Sequence, residues 1–266
     1  MSRYGFALGL VEYREAIARF MKRRFGQDFH PIKEIVPLIG SKEGLSHLAF
    51  AYLTKGDYAI VPEPGYNSYV GGTLLADATP YKYPLRPENG FLIDMDKIPA
   101  DVLKKTKVLY LNYPNNPTGT ALPPEAVSTL CEAAGDAVVV VDEAYGEFRR
   151  TGTPSALELL PRHRNLVVTR TMSKAFALAG ARLGYLAAAP EICDAIRVVR
   201  LPYHLSAVTQ AVALAALRHA PELLGRVDEL RAERDATVAW LREQGHTVAD
   251  SDANFALFGT FADRHA

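Results

Sequence analysis

The stretch Ala137-Val-Val-Val-Val-Asp-Glu-Ala-Tyr145 decides the fold. β-Branched side chains favour extended backbone, and an unbroken apolar run, as opposed to an alternating one, marks a strand covered on both faces. Such strands belong to parallel sheets packed between helices. The polar residues Asp142, Glu143 and Tyr145 all stand at its carboxyl end, which in open α/β sheets is where ligands bind. Taken alone, Asp142-Glu143 reads first as a cap for a following helix.

Working outward, apolar runs near 35–39, 58–62, 79–83, 107–112, 137–142, 165–169 and 183–188 are separated mostly by helical stretches. This alternation predicts the α/β class, with a seven-stranded, mostly parallel sheet inside a three-layer α/β/α large domain over residues 1–205. A helical region at about 206–244, expected to break at Pro221, leads to a strand pair near His246. Residues 206–266 therefore read as connecting helices and part of a smaller α+β domain. No repeat, low-complexity tract or glycine-serine linker interrupts the chain.

Downstream of the central strand, Arg170-Thr-Met-Ser-Lys-Ala-Phe176 is followed by Arg182. A lysine, a strand-end aspartate and a nearby arginine are the partners that a cofactor with an aldehyde, a basic ring nitrogen and a phosphate requires. Pyridoxal 5'-phosphate is such a cofactor. Lys174 is the candidate Schiff-base lysine, activated by desolvation and neighbouring positive charge. Asp142 is the candidate partner of the ring nitrogen. Tyr145 and Asn116 are candidate donors to the phenolic oxygen. Arg182, with Thr171 and Ser173, suits the phosphate, because the guanidinium fork matches that anion. The spacing Thr171-Met-Ser-Lys174 also fits a nucleophile-x-x-lysine pattern, but it lacks the Ser-Asp-Asn and Lys-Thr-Gly companions of serine acyl-transfer enzymes.

Three further segments fit the same site. Ile39-Gly-Ser-Lys-Glu-Gly44 joins a strand to an apolar helix, so free N–H groups at the helix start would form an anion site, or the glycines serve only a tight turn. In Val61-Pro-Glu-Pro-Gly-Tyr-Asn-Ser-Tyr69, Tyr66 opens another helix and either stacks on a flat ring or packs under the loop. Val108-Leu-Tyr-Leu-Asn-Tyr-Pro-Asn-Asn-Pro-Thr-Gly119 runs a strand into a loop stiffened by two prolines, which would hold Asn116 in place.

These motifs, Gly40-Ser-Lys-Glu-Gly44, Pro64-Gly-Tyr66, Asn115-Asn-Pro-Thr-Gly119, Asp142-Glu-Ala-Tyr145 and Ser173-Lys174 with Arg182, resemble in order and spacing those of the class I/II aminotransferases, fold type I of the pyridoxal phosphate enzymes. The resemblance runs from about residue 4 to the chain end. It implies that Lys174, Asp142 and Tyr66 are catalytic. Ser41, Lys42, Thr171, Ser173 and Arg182 would form the phosphate shell, and Asn116 and Tyr145 would meet the phenolic oxygen. Tyr4 resembles a tyrosine that reaches the phosphate of a neighbouring subunit, which implies a homodimer with shared active sites. The implied activity is amino-group transfer between an amino acid or histidinol phosphate and a 2-oxo acid. Alternatives are a cofactor-binding protein without turnover, or a related decarboxylase or lyase.

Two subfamilies meet in the chain. Tyr13-Arg-Glu-Ala-Ile17, Arg23-Arg-Phe-Gly26 and Leu111-Asn-Tyr-Pro114 resemble LL-diaminopimelate aminotransferases, whereas Leu178-Ala-Gly-Ala-Arg182 and Ala253-Asn-Phe255 resemble histidinol-phosphate aminotransferases. This predicts a chimera joined near residues 112–122. The resemblance also implies a longer protein, with an N-terminal arm and a substrate-carboxylate arginine that Arg264 does not match. The chain is thus expected to be truncated at both ends.

Composition narrows the class. With 30 basic and 30 acidic side chains and no long charge run, nothing directs the chain to nucleic acid or an acidic membrane. The most apolar stretch, residues 207–217, is too short to span a bilayer. No secretory leader is read at Met1-Ser-Arg-Tyr-Gly5, so a cytoplasmic location is expected. Cys131 and Cys193 match no metal or redox spacing, the seven histidines form no metal set, and no glycine-rich dinucleotide fingerprint follows the first strand.

Overall fold

The structure is a computed structural model that describes residues 8–259. Its elements alternate along the chain as α1 (Val11–Phe25), β1 (Ile35–Leu38), α2 (Ser41–Tyr52), β2 (Tyr58–Glu63), α3 (Asn67–Leu75), β3 (Thr79–Pro84), α4 (Ala100–Lys105) and β4 (Thr106–Asn112). They continue as α5 (Pro124–Ala133), β5 (Val138–Asp142), β6 (Leu166–Thr171), β7 (Gly184–Ala188), α6 (Pro190–Val199), α7 (Ala207–Arg218) and α8 (Ala220–Glu243). The seven strands form one sheet in the order β1-β7-β6-β5-β4-β2-β3. Only β7 runs against its neighbours, pairing antiparallel with both β1 and β6.

Period-two alternation along each strand explains the layers. Leu109, Leu111, Val139, Val141 and Val168 face one apolar layer together with Tyr13, Ile17 and Phe20 of α1 and Val127 and Leu130 of α5. Val108, Tyr110, Val138, Val140 and Val167 face the other, with Leu45 and Leu48 of α2 and Ile192 and Ile196 of α6. The four consecutive valines thus serve two cores at once. At the sheet edge, β3 is mostly uncovered and carries Pro80, Lys82 and Pro84, residues that discourage further strand pairing.

Helix ends follow local chemistry. Gly26 closes α1 in the left-handed region at φ 70°, and prolines open α5 and α6 in their first turn, where a missing N–H costs nothing. The helical region beyond residue 205 breaks at His219, two residues before Pro221. The proline occupies the first turn of α8 and begins that helix; it does not end α7. Among the described residues the strand pair expected near His246 is reduced to a single antiparallel bridge, Val248 to Phe258. Val238, Leu241 and Val248 form a small apolar cluster separate from both sheet layers.

Candidate active site

The carboxyl ends of β4, β5 and β6 and the start of α2 converge on a cavity of about 250 Å³. Its walls include Ser41, Lys42, Tyr66, Asn116, Asp142, Tyr145, Thr171, Ser173, Lys174 and Arg182. These are all the site residues expected from the sequence except Tyr4, which lies outside the described residues.

Parallel pairing sets the floor. Asn112 of β4 stands opposite Asp142 of β5, and Asp142 opposite Thr169 of β6. The Asp142 carboxylate is buried and accepts from Tyr69 Oη at 2.8 Å, Thr169 Oγ1 at 3.1 Å and the Ala144 N–H at 3.2 Å. Burial pushes its pKa up to about 6, against the pull of these three donors. Tyr69 is raised well above its ordinary value, first by burial and then by the adjacent Asp142 charge.

Beside this floor, Asn112 Oδ1 accepts the Asn116 N–H at 3.0 Å, and Asn116 Nδ2 lies 3.3 Å from Tyr145 Oη. The loop holding Asn116 closes on itself: Asn115 N–H donates to Thr120 O at 2.8 Å, and Asn115 Oδ1 accepts from both the N–H and the hydroxyl of Thr118. The rigidity expected from the prolines is therefore reinforced by side-chain hydrogen bonds.

The opposite wall is built for an anion. Gly40 precedes α2 at φ 70°, and a Cβ there would sit 2.8 Å from Arg182 Nη2, so the guanidinium lies over a backbone that only glycine leaves open. Arg182 itself adopts φ 53° and donates from Nη1 to Ala179 O at 3.0 Å. The first N–H groups of α2 lack partners within the helix and carry its positive dipole end. Gly184 lets β7 approach closely enough that a Cβ would lie 2.7 Å from both Ser41 N and Arg170 O. The Thr171 hydroxyl stands 3.0 Å from Ser173 Oγ and accepts the Ser173 N–H at 3.2 Å.

Lys174 projects into the cavity with Nζ 5.3 Å from the centre of the Tyr145 ring. Its side chain is exposed, so the desolvation expected to activate it is not provided by the described residues of this chain. Tyr66 caps α3 and is 38% exposed, its ring edge-on to Tyr69 at 6.0 Å. It is therefore not packed under its loop, and it forms part of the cavity wall.

Sequence reasoning missed Asn112, Tyr69, Thr169 and Gly184. Tyr69 stands one helical turn after Tyr66, and Asn112 ends its strand as Asp142 does, so spacing and position could have drawn attention to both. It also missed the support beneath the site. Arg170 is buried between Glu143 and Glu147 and lies 4.7 Å from the centre of the Phe25 ring. Burial raises the Glu143 pKa, but Arg149, Arg170, the Ser155 hydroxyl and the Ala156 N–H outweigh it and hold the carboxyl below its usual range. Among the described residues no group of histidine, cysteine or carboxylate side chains could hold a metal ion.

The donor set suits pyridoxal phosphate. The glycine-lined cradle beneath Arg182 is cationic, the buried carboxylate at the other end has no ion-pair partner among the described residues, and hydroxyl and amide donors lie between them. Fold and site together define an α/β protein with a cavity at the strand ends whose lining suits a phosphorylated ring, with a lysine among its walls.

Comparison with known proteins agrees. Residues 1–264 match the family described as aminotransferase class I and II. The histidinol-phosphate aminotransferase of Thermobifida fusca is 55% identical over 229 residues, 85% of this chain and 61% of that protein. The one from Paenarthrobacter aurescens is 45% identical over 260 residues, 96% of this chain and 68% of that protein. Among solved structures, substrate-bound BacF from Bacillus superposes with a TM-score of 0.86 at 31% identity, covering 94% of this chain and 66% of that one. N-Succinyldiaminopimelate aminotransferase from Mycobacterium tuberculosis gives 0.82 at 28%, covering 94% and 67%. The chain belongs to the aminotransferase class I and II family, whose cofactor is pyridoxal phosphate. It spans about three fifths of the length of the first curated relatives it matches.

Proposed function

We propose that this chain carries the cofactor site of a pyridoxal phosphate-dependent aminotransferase that moves an amino group between histidinol phosphate or an amino acid and a 2-oxo acid. The observation that carries this reading is the single cavity lined by Lys174, Asp142, Tyr145, Asn116, Ser41 and Arg182. The named function of the relatives at 45% and 55% identity supports the substrate class.

When bound, pyridoxal phosphate supplies an electron sink for the pair left at a substrate carbon. The chain's own residues do the rest. Asp142, ionised, would hold a proton on the ring nitrogen, while Tyr69 and Thr169 fix the direction of its carboxylate. Ser41, Lys42, Thr171, Ser173 and Arg182 would hold the phosphate, Tyr66 would stack on the ring, and Tyr145 and Asn116 would donate to the phenolic oxygen. Lys174 Nζ would take the Cα proton of the amino substrate as general base and hand it, as general acid, to the carbon that had carried the cofactor's aldehyde.

The test is to add pyridoxal phosphate, follow visible absorption, reduce with borohydride and map the modified lysine. An adduct at Lys174 supports the site; an adduct only at other lysines overturns it. Adding histidinol phosphate or glutamate to the loaded protein then reads the half-reaction. Loss of the visible band with donor supports amino transfer, and an unchanged band leaves a cofactor-binding protein without turnover.

The same reading includes a homodimer with shared sites and a cytoplasmic location. Exposed Tyr66, Lys42 and Arg182 at the cavity mouth support the first. The second rests on the likeness to bacterial histidinol-phosphate aminotransferases. No helix among the described residues is long and apolar enough to cross a membrane. A division near residue 205 is supported by the separate cluster of Val238, Leu241 and Val248. The same reading keeps a chimera joined near residues 112–122 as a proposal, on the two sets of phrases that meet there. Ranking the relatives of each part separately decides it.

A further inference from the structure

Beyond α8 the chain returns to the rim of the cavity, and residues 251–255 touch both loops that carry the proposed donors to the phenolic oxygen. Asp252 is 1% exposed. Its carboxylate accepts from the Arg150 N–H at 2.7 Å, Arg150 Nε at 3.3 Å and Arg150 Nη2 at 3.0 Å, while its own N–H donates to Gly119 O at 2.8 Å. Gly119 ends the turn that holds Asn116, and Arg150 follows the turn that begins at Tyr145.

Neighbouring contacts run the same way. Ser251 Oγ occupies the space a Cβ on Gly119 would need, at 2.5 Å, and Phe255 meets the Tyr145 ring edge-on at 5.1 Å and 87°. Arg234 of α8 donates to Phe148 O at 2.7 Å and Ala253 O at 2.9 Å, locking the segment to the second loop. A buried carboxylate stripped of its partners is strongly unfavourable, so the Asp252 side chain holds to Arg150, and in doing so it fixes the backbone N–H through which the same residue reaches Gly119.

We infer that Asp252 is a positioning residue: by joining Gly119 to Arg150 it sets the placement of Asn116 and Tyr145, and through them the hydrogen bonds offered to the cofactor. This rests on reading the cavity as a pyridoxal phosphate site. Asp250 supplies the control, because it reaches Arg150 and Arg242 from an exposed position.

Amide hydrogen exchange on the chain without cofactor is the first arm. Asp252→Asn should speed exchange in both 115–120 and 144–150 by about tenfold or more, while Asp250→Asn leaves both unchanged. Faster exchange confined to 250–259, or an equal effect from Asp250→Asn, overturns the inference. Should Asp252→Asn not fold, Arg150→Ala removes the exposed half of the pair, leaves the Arg150 N–H in place, and should loosen the same two loops by a smaller factor.

The second arm titrates the visible band of the pyridoxal phosphate-loaded proteins. Donors to the phenolic oxygen draw charge away from the neighbouring proton, so loosening them in Asp252→Asn should move the pH midpoint upward by about half a unit. Loosened loops with an unmoved midpoint would make Asp252 structural only. A wild-type chain that forms no adduct at Lys174 sinks the reading of the cavity, and with it the role toward cofactor, whereas the exchange arm still decides whether Asp252 joins the loops.

Discussion

Asp142 and Lys174 are the residues on which the chemistry depends, and each makes a separate prediction. Lys174→Ala should abolish the borohydride-reducible adduct while leaving the fold intact, read by mass spectrometry and circular dichroism; a surviving adduct of equal yield refutes the assignment. For Asp142, burial raises the folded pKa to about 6 from an ordinary 3.8 in the chain without cofactor. The folded state therefore binds the extra proton, so the stability this group contributes is full below about pH 4 and lost as pH rises through 6. At about 1.4 kcal/mol per pH unit the loss is roughly 3 kcal/mol. Asp142→Asn should accordingly raise Tm at pH 7 and have little effect at pH 4. An equal change in Tm at both pH values would contradict the buried, charged carboxylate.

Among the elements, β7 and α2 meet where Gly184 admits the backbone of Ser41 on one side and Arg170 on the other. Gly184→Ala puts a methyl group against two backbones, neither of which is a flexible side-chain end. We expect about 2 kcal/mol of destabilisation by denaturant titration and weaker pyridoxal phosphate retention, because the start of α2 must shift. Neutral stability with unchanged retention would show that the strand and helix part freely. Arg170 ties β6 to the turn after β5 by pairing with Glu143 and Glu147. Arg170→Met leaves two buried carboxylates with too little positive charge and should cost about 3–5 kcal/mol, measured by urea unfolding. A cost under about 1 kcal/mol would mean that Arg149 alone satisfies Glu143.

For the molecule as a whole, the proposed shared site predicts that the purified chain sediments at twice its 29.1 kDa mass and that dilution to monomer weakens cofactor retention. A monomer that retains pyridoxal phosphate undiminished would remove the need for a partner. How much was legible beforehand differs by scale. The four valines before Asp142, and the apolar runs before Asn112 and in β6, announced the central strands of the sheet, because an unbroken apolar run rich in β-branched side chains favours a strand buried on both faces. The cavity residues were legible for a related reason: strand-end polar groups, glycines and prolines have narrow local uses, and their types restrict the chemistry. Thr169, Asp252, Arg170 and the bond from Tyr69 to Asp142 were not, because a buried polar residue is defined by partners far away in the chain. Asp252 meets Arg150 across 102 positions, and Tyr69 meets Asp142 across 73. Sequence by itself determined the strand–helix alternation, the two-sided apolar burial and the residue types at the strand ends, all consequences of local backbone preference and hydrophobic patterning. Only the tertiary structure decided the strand order, the exposure of Lys174 and the contacts beneath the site, since these depend on which distant side chains share one desolvated space.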